Sequence, residues 1–278
     1  MKTISILGCG WLGLPLAKSF LSKGYKVKGS TTSESKLDVL KNAGILPFQI
    51  QLESHQIIGA IEDFLKVSDV LVIAIPPGLR KAHPTSTEMT FVNKVKTLIP
   101  FIEKSGIQKV LFVSSTSVFG DRFPIVEITE ETAPNPDTES GKQLAIAETL
   151  LQSNPHFKTT VIRFGGLIGE DRNPMYQLQH KTIPNPDAPI NLIHQMDCIG
   201  VIETIIDKGL LQAQSDNWDE VYHASGINSI TRRAYYTAKA KELEIRNPIF
   251  EEVVVSKGKH ILSKKIEKEL NYTFKVIK

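Results

Sequence analysis

The stretch Thr3–Lys18, TISILGCGWLGLPLAK, decides the fold. It opens with a short, β-branched, apolar run as far as Leu7, which predicts a buried strand because the run is too short for a helix. The glycine loop Gly8-Cys9-Gly10-Trp11-Leu12-Gly13 interrupts this run, and apolar residues at helical spacing follow directly. A strand, a GxGxxG loop and a helix in direct succession indicate a dinucleotide-binding turn.

Each glycine of the loop has a mechanical task in that interpretation. Gly8 allows the tight turn off the strand, Gly10 lets a pyrophosphate approach the backbone, and Gly13 lets the helix pack against the sheet. Together with Trp11 and Leu12 they form the predicted phosphate-binding segment, because a helix N-terminus offers unpaired N–H groups and a partial positive charge. The alternative interpretation is a glycine turn that merely joins a strand to its helix.

The composition is that of an ordinary globular protein. The chain has 278 residues, of which 41% are hydrophobic and 23% charged, and its formal net charge is +3. That charge is too small to indicate a nucleic-acid partner, and no apolar run approaches the roughly 18 residues of a membrane span. We expect no signal peptide, no membrane partner and a cytoplasmic protein. The two cysteines, Cys9 and Cys198, are too far apart in sequence to predict a metal site or a disulfide framework.

The rest of the chain alternates predicted strands with predicted helices. The strands are predicted at 24–30, 45–50, 69–75, 109–114, 159–163 and 220–224, and the helices at 35–42, 57–65, 89–104, 139–151 and 197–211. Short links between alternating elements indicate an α/β fold with a doubly wound parallel sheet, the Rossmann fold.

The end of the second predicted strand bears on the choice of cofactor. An Asp or Glu there usually binds the adenosine ribose hydroxyls. Here the stretch reads Ser30-Thr31-Thr32-Ser33, with no carboxylate before Glu34 and with Lys36 close by. The missing acid removes the repulsion that would exclude a 2′-phosphate, so the sequence favours NADP slightly over NAD. Ser30, Thr31 and Thr32 are the candidate ribose contacts.

Two further segments lie at predicted carboxyl ends of strands, where open parallel sheets bind ligands. The first is Ile75, the last residue of the fourth predicted strand, with Pro76 and Pro77 after it, and it is a candidate cofactor contact. The second is the hydroxyl run Ser114-Ser115-Thr116-Ser117, which could bind a substrate carbonyl or the nicotinamide ribose. A hydroxyl-rich turn that only caps the strand is an equal alternative.

The later segments predict a second, smaller lobe. Residues 170–190 carry four prolines and are expected to form a flexible insert that shapes the substrate pocket. From residue 231 lysine-bearing helices follow, with a strand predicted at 251–255. We therefore expect a nucleotide-binding domain at 1–165, completed by 191–224. A small C-terminal α+β substrate lobe would be woven from 166–190 and 225–278.

Taken together, these motifs resemble the extended short-chain dehydrogenase/reductase superfamily, often labelled NAD-dependent epimerase/dehydratase. The matching segments, spread over nearly the whole chain, are the glycine loop; SSTSVFGD at 114–121, similar to SS-x-x-VYG-D; Arg163 with Gly169; NLIHQMD at 191–197, similar to V-x-H-V-x-D; and KKIEKELN at 264–271, similar to a closing K-x-x-x-x-LG helix. The resemblance implies an NAD(P) cofactor that Ser114 and Arg163 help to bind. It also implies a homodimer that pairs helices 89–104 and 139–151.

The chain departs from the family at its catalytic residues. The resemblance places the catalytic Ser/Thr at Ser115, with Ser117 as the next nearest hydroxyl. Setting Glu148 against the family's Y-x-x-x-K-x-x-x-E puts Ser140 at the tyrosine and Leu144 at the lysine. A serine is a far poorer acid or base than a perturbed phenol, and a leucine can do neither of the lysine's tasks.

This departure leaves three functional hypotheses. The first is an NAD(P)-dependent oxidoreductase or epimerase-like enzyme with a non-standard proton donor, either one of those serines or His194 acting through water. For His194 we favour a helix-start role over catalysis. The second is a non-catalytic NAD(P)-binding sensor or regulator. The third is a β-hydroxyacid dehydrogenase, whose GxGxxGxxxA loop also fits, although the later strand signals argue against it. A small-molecule substrate is expected, but sugars, acyl groups and thioesters fit the sequence equally.

Overall fold

The computed structural model describes residues 1–79, 88–178, 180–211, 218–252 and 255–276. In chain order the strands are β1 (Thr3–Leu7), β2 (Lys26–Thr31), β3 (Leu46–Gln49), β4 (Gln51–Leu52), β5 (Ile57–Ile58), β6 (Val70–Ile73), β7 (Lys109–Ser115), β8 (Glu127–Ile128), β9 (Lys158–Phe164), β10 (Gly166–Ile168), β11 (Thr182–Ile183), β12 (Leu192–His194), β13 (Val221–Ala224), β14 (Ile249–Phe250) and β15 (His260–Ile261). The helices are α1 (Gly13–Ser22), α2 (Leu37–Asn42), α3 (Ile61–Leu65), α4 (Thr90–Ser105), α5 (Glu139–Gln152), α6 (Met175–Leu178), α7 (Gln195–Leu211) and α8 (Arg232–Glu242). Short 3₁₀ turns cover Glu34–Lys36 and Thr116–Val118, and a π-helical turn covers Ile266–Leu270.

A seven-stranded parallel sheet in the order β13-β9-β7-β6-β1-β2-β3 forms the centre of the fold. The sequence begins in its middle, at β1, and winds outward in both directions, with helices as the crossovers. Every residue of β1 and β6 is buried, because helices cover both faces of a parallel sheet. The predicted α/β fold with a doubly wound parallel sheet is therefore confirmed, and so are its seven core strands.

The chain divides into two compact units. Unit 1 contains Met1–Ser114, Glu139–Ile162 and Ile202–Val221, and unit 2 contains Ser115–Thr138, Arg163–Val201 and Tyr222–Lys278. The domain boundaries drawn from the sequence stay predictions. Among the described residues, no helix is long and apolar enough to cross a membrane.

The predicted helix at 57–65 is wrong in its first half. Residues Ile57–Ile58 form β5, and the helix begins only at Ile61. Gly59 separates the two elements with a φ of +108°, a conformation that other residues rarely adopt. The apolar spacing alone did not reveal this break. By contrast, α4 continues through Pro100 and ends at Ser105, with Gly106 as its C-cap at a φ of +75°.

The described residues of the predicted strand at 251–255 are not in a strand, and a short strand lies just before them. The strand is Ile249–Phe250, which pairs in parallel with Thr182–Ile183. Glu251 and Glu252 are exposed and irregular, and acidic residues have low strand propensity. Positions 253 and 254 lie outside the described residues.

The proline-rich insert at 170–190 is folded in its described part, contrary to the expected flexible segment. It contains α6 and β11, and Met175 and Ala188 are fully buried. Apolar side chains spaced singly along the segment anchor it, a pattern without the periodicity that identifies a helix or strand. Whether it shapes a pocket stays a prediction.

The closing segment expected to be helical at 264–271 is helical over residues 264–270. Its last part is the π-helical turn Ile266–Leu270, which ends at the C-cap residue Asn271, whose φ is +54°. The family pattern has glycine at this position, and asparagine is one of the few other residues that enter this left-handed conformation readily. The substitution therefore preserves the turn.

Candidate functional site

The glycine loop of unit 1 has no room for a side chain at its first and last glycines, whereas its middle glycine faces free space. A Cβ on Gly8 would lie 3.0 Å from the Ala74 carbonyl oxygen, and a Cβ on Gly13 would lie 2.2 Å from the Gly8 carbonyl oxygen. Around Gly10, by contrast, no described atom outside residues 9–11 lies within 4 Å of the Cβ position. The first and last glycines are thus required by packing, whereas Gly10 presents bare backbone to free space.

The N-terminus of α1 makes this space electrostatically favourable for an anion. Leu12 is the N-cap residue of α1, which lies entirely within the described residues. Among these residues, no side chain caps the helix by a hydrogen bond, and the first turn contains no acidic side chain. Leu12 is buried, so its backbone rather than its side chain is available to a ligand, while Trp11 is half-buried. A helix N-terminus without a carboxylate suits phosphate oxygens.

Ser30 holds the glycine loop from the neighbouring strand. Its hydroxyl oxygen accepts a hydrogen bond from the Gly8 N–H at 2.9 Å, and its carbonyl oxygen accepts one from the Cys9 N–H at 2.7 Å. The side chain is only 2% exposed. Ser30 was singled out as a ribose contact, and the structure reveals a role in fixing the loop that sequence reasoning missed. Thr31 next to it is buried, whereas Thr32 is exposed.

The loop after β6 lies against the same glycine loop. The Ala74 N–H donates to the Leu7 carbonyl oxygen at 2.9 Å, which extends the β1–β6 pairing by one residue. The Cγ2 atom of Ile75 lies 3.0 Å from the Cβ position of Gly8. Pro76 is exposed and Pro77 half-buried. Unit 1 therefore brings the glycine loop, Ser30 and Ile75 together at the carboxyl edge of its strands.

Ser114 and Glu148 form a buried pair at the end of β7. The Ser114 hydroxyl donates to Oε1 of Glu148 at 2.5 Å, and the carboxylate is 2% exposed. Ser114 was predicted to contact the cofactor, whereas Glu148 served only to align the family motif. The helical spacing of residues 140, 144 and 148 was the available signal that Glu148 faces the core.

The residues at the family's tyrosine and lysine positions lie on α5. Ser140 is half-buried in the first turn of the helix, and Leu144 is buried in the core. Between them, Gln143 is fully buried; its side-chain oxygen accepts from the Phe91 N–H at 2.9 Å, and its amide donates to the Glu88 carbonyl oxygen at 3.0 Å. Gln143 thereby ties α5 to the start of α4. No local sequence pattern identifies such a pairing.

The hydroxyl turn of unit 2 contains the other two candidate proton donors. Ser115 precedes the 3₁₀ turn, and its hydroxyl oxygen accepts from the Ser117 N–H at 3.1 Å. Both side chains are half-buried. Ser115 therefore caps the 3₁₀ turn. Its hydroxyl hydrogen remains available to another acceptor.

Charged side chains from later segments hold the end of this turn. The Lys259 ammonium donates to the Phe119 carbonyl oxygen at 2.5 Å and lies 3.3 Å from the Asp121 carboxylate. Arg232 donates to the same carboxylate at 2.8 Å. Burial alone would raise the pKa of Asp121, but these two cations hold the pKa below its ordinary value.

Arg163 lies inside unit 2 against aromatic rings. It is 5% exposed, and its guanidinium carbon lies 5.2 Å from the Phe119 ring centroid, while Nη1 lies 3.4 Å from Nε2 of His223. Burial lowers the pKa of His223 to about 3, and the neighbouring guanidinium adds to this effect. The imidazole is therefore neutral at pH 7. The cofactor contact predicted for Arg163 stays a prediction.

The two acid–base residues near the start of α7 have structural partners. Nδ1 of His194 accepts from the Met196 N–H at 3.2 Å, so the favoured helix-start role is confirmed. The helix predicted at 197–211 begins two residues earlier than expected, because α7 starts at Gln195, so Asp197 lies in its first turn. The Asp197 carboxylate is fully buried and accepts hydrogen bonds from the C-terminal segment: from Tyr272 OH at 2.8 Å, Lys275 N at 2.8 Å and Val276 N at 3.1 Å.

Neither cysteine is a candidate nucleophile. Both thiols are buried, and burial raises the pKa of Cys9 to about 12 and that of Cys198 well above its ordinary value. In the part of the chain that the structure describes, no group of three His, Cys, Asp or Glu side chains is arranged to hold a metal ion.

Comparison with known proteins gives a family for most of the chain. Residues 4–186 match the model of the NAD dependent epimerase/dehydratase family. Protein YeeZ of Escherichia coli K12 is 30% identical over 276 residues, which cover 99% of this chain and 96% of that protein. The sterol-4-alpha-carboxylate 3-dehydrogenase, decarboxylating, of Dictyostelium discoideum is 25% identical over 268 residues, covering 87% of this chain and 76% of the relative.

A solved structure agrees on the fold. The UDP-glucuronic acid 4-epimerase of Bacillus cereus, determined with UDP-glucuronic acid and NAD, superposes with a TM-score of 0.78 and covers 99% of this chain and 94% of its own. The two sequences are 16% identical, so the likeness concerns the fold alone.

Proposed function

The chain belongs to the NAD-dependent epimerase/dehydratase family, and from that premise we propose that it is an NAD(P)-binding oxidoreductase or epimerase-like enzyme with a non-standard proton donor. The observation that carries the proposal is the open backbone face at Gly10 beside the start of α1. Packing closes the loop on either side of this face, so the free space lies where a pyrophosphate has to approach.

The residues proposed to hold the cofactor all follow from the sequence motifs. The phosphates would bind the backbone of the glycine loop, and the adenosine ribose would bind at the end of β2. The remaining proposed contacts are Ile75, Pro76, Pro77, Ser114 and Arg163. Bound there, the nicotinamide supplies a hydride donor or acceptor, while the chain itself supplies orientation and a proton.

The proton step is where this chain differs from its family. We propose Ser115, Ser117 or Ser140 as the donor. Leu144 stands at the family's lysine position and is buried, so this position supplies no cation that could lower the pKa of a nearby hydroxyl. Such a hydroxyl transfers protons slowly. We therefore expect low turnover, or a substrate whose own proton is acidic.

A non-catalytic NAD(P)-binding sensor is the second candidate. Two observations favour it. Leu144 is buried at the position of the family's catalytic lysine, and the Ser114 hydroxyl donates its hydrogen to Glu148. Both functions require nucleotide binding, and turnover separates them.

Three finer proposals accompany the function. The cofactor is NADP rather than NAD, because residues 30–33 carry no carboxylate. The substrate is a small molecule, bound by the later segments of the chain in the cytoplasm. The protein is a homodimer that pairs α4 and α5 of two copies, where Ile146 is 38% exposed; a monomer by light scattering would contradict this pairing.

The decisive experiment is a titration of the purified protein with NADPH and with NADH, followed by nicotinamide fluorescence. We expect saturable binding in the micromolar range. Binding followed by oxidation of the cofactor in the presence of a carbonyl panel supports the enzyme, whereas binding with no turnover across the panel supports the sensor. If neither nucleotide binds, both functions are excluded.

A further inference from the structure

We propose that residues 272–276 form a strap that opens and closes as one unit on unit 2, with the Asp197 carboxylate as its latch, and that the strap has to be closed for Arg163 to contact a bound cofactor. The second part rests on the function proposed above. The first part, the opening and closing of the strap, does not depend on that function.

The strap is an extended segment outside the regular structure. Residues 272–276 are all described, and none of them belongs to a helix or strand. Tyr272 and Phe274 are buried, whereas the residues after each of them are more exposed, so alternate side chains face the protein. The two rings pack edge to face with their centroids 5.6 Å apart. Asn271, in the left-handed conformation, directs the chain out of the preceding π-helical turn and fixes where the strap begins.

One carboxylate holds the strap. Asp197 is fully buried; its Oδ1 accepts from the Tyr272 hydroxyl and from the Lys275 N–H, both at 2.8 Å, and its Oδ2 accepts from the Val276 N–H at 3.1 Å. These donors all lie within the strap, so they leave the carboxylate together. Because a buried carboxylate without donors is costly, opening has to admit water to Asp197. The latch therefore has two states, one with the strap donors and one with water.

Two glycines provide the space in which the closed strap lies. A Cβ on Gly226 would lie 3.0 Å from the Val276 carbonyl oxygen, and a Cβ on Gly200 would overlap the Tyr272 hydroxyl. Larger residues at these two positions would push the strap away from Asp197. The closed position is therefore specific. A chain terminus outside helices and strands opens at a lower free energy than core strands do, and the strap can return to the same position afterwards.

The closed strap packs on the short strand pair that follows Arg163. Val276 packs against the apolar cluster that contains Ile168 of β10 and Leu192 of β12. These two strands pair over three residues only, and β10 begins three residues after Arg163. A pair this short depends on side-chain packing for its stability. Opening of the strap therefore loosens the backbone beside Arg163.

The first test is amide hydrogen exchange in the full chain, followed by NMR at Lys275 and Val276. We expect the protection factors of these two amides to be at least about tenfold lower than those of β1 and β6, because the strap opens without global unfolding. Tyr272→Phe should lower them by a further factor of about 10 to 100, since a hydrogen bond to a charged group is lost. Asp197→Asn should lower them at least as much.

Tyr222→Phe is the matched control, because it removes another tyrosine hydroxyl from unit 2, one that donates to Glu269 at 3.3 Å. It should leave the protection of Lys275 and Val276 unchanged. Strap amides that are protected as strongly as those of β1 and β6 overturn the independent opening. An equal effect of Tyr272→Phe and Tyr222→Phe overturns the assignment of Asp197 as the latch.

Addition of nucleotide tests the coupling to Arg163. NADPH at about 100 times its dissociation constant should raise the protection of the strap amides at least about tenfold, because binding favours the closed state. ADP, whose proposed contacts lie in the glycine loop and at the end of β2, should leave it unchanged. NADPH that binds without this effect overturns the coupling, while the proposed function stands. If NADPH does not bind, the proposed function and the coupling both fail, whereas the exchange rates still decide whether the strap opens.

Discussion

Ser114 donates its hydroxyl hydrogen to Glu148 at 2.5 Å, which joins the end of β7 to α5 inside unit 1. The carboxylate is almost completely buried, so it has little water to replace a lost donor. We predict that Ser114→Ala lowers the free energy of unfolding by about 1.5–3 kcal/mol, the usual contribution of a hydrogen bond to a charged group. Urea unfolding followed by far-UV circular dichroism measures this. Ser22→Ala, which removes an exposed hydroxyl bonded to Ser19 O, is the control and should cost less than about 0.5 kcal/mol.

Gly10→Asp tests the phosphate-binding face. The side chain enters open space, so the far-UV spectrum should stay unchanged, while its carboxylate repels the pyrophosphate. We expect NADPH affinity to fall by at least about 100-fold, equivalent to roughly 2.7 kcal/mol. Gly13→Ala is the contrasting variant, because its Cβ would clash with the Gly8 carbonyl and lower stability itself. Retained affinity in Gly10→Asp would show that the phosphates bind elsewhere.

His223 makes stability depend on pH in the mildly acidic range. Burial lowers its pKa in the folded protein to about 3, against an ordinary value of 6.5, so the unfolded chain binds the proton first. The contribution of the neutral His223 to the free energy of unfolding is therefore fully present above pH 6.5. It is lost as the pH falls toward 3, by up to about 1.4 kcal/mol per pH unit. His223→Gln should flatten this loss when urea unfolding is compared between pH 6.5 and 5. The exposed His55→Gln should leave the slope as it is; an unchanged slope in His223→Gln would contradict the prediction.

Val67 has a left-handed backbone conformation, which asparagine adopts more readily than valine. It is 79% exposed and has a φ of +58°, which is unfavourable for a β-branched side chain. Val67→Asn relieves this strain, and we predict a gain of about 1 kcal/mol in the free energy of unfolding. Thermal and urea unfolding measure the gain. The same change at Val39, exposed on α2, gives no relief of strain, so equal effects at both positions would disprove the explanation.

The sequence was sufficient where local chemistry determines the structure. The β1–loop–α1 unit follows from a β-branched run, three glycines and a helical spacing within sixteen residues, and the core strands follow from their apolar runs. It was insufficient at 57–65 and 251–255, where a glycine conformation and a long-range strand pairing set the element bounds.

The candidate site likewise has parts that the sequence located and parts that it did not. The motifs located the glycine loop and the hydroxyl turn, and the residues assigned to them remain predictions. The long-range side-chain hydrogen bonds of the buried residues Ser30, Gln143 and Glu148 join positions that lie 22 to 55 residues apart in the chain. A single sequence contains no periodicity that reports such distant hydrogen bonds.

The hydrogen bonds of Asp197 imply an order in which parts of the chain fold during synthesis. Its carboxylate receives hydrogen bonds from residues that come 75 to 79 positions later in the chain. While the ribosome is still making that stretch, the carboxylate has to stay in water, because burying it without donors costs several kcal/mol. The glycine loop and β1, β2 and β6 are already complete at that stage and can fold as the chain emerges. The start of α7 reaches its final environment only after residue 276 has been added, so unit 2 is the last part of the nascent protein to close.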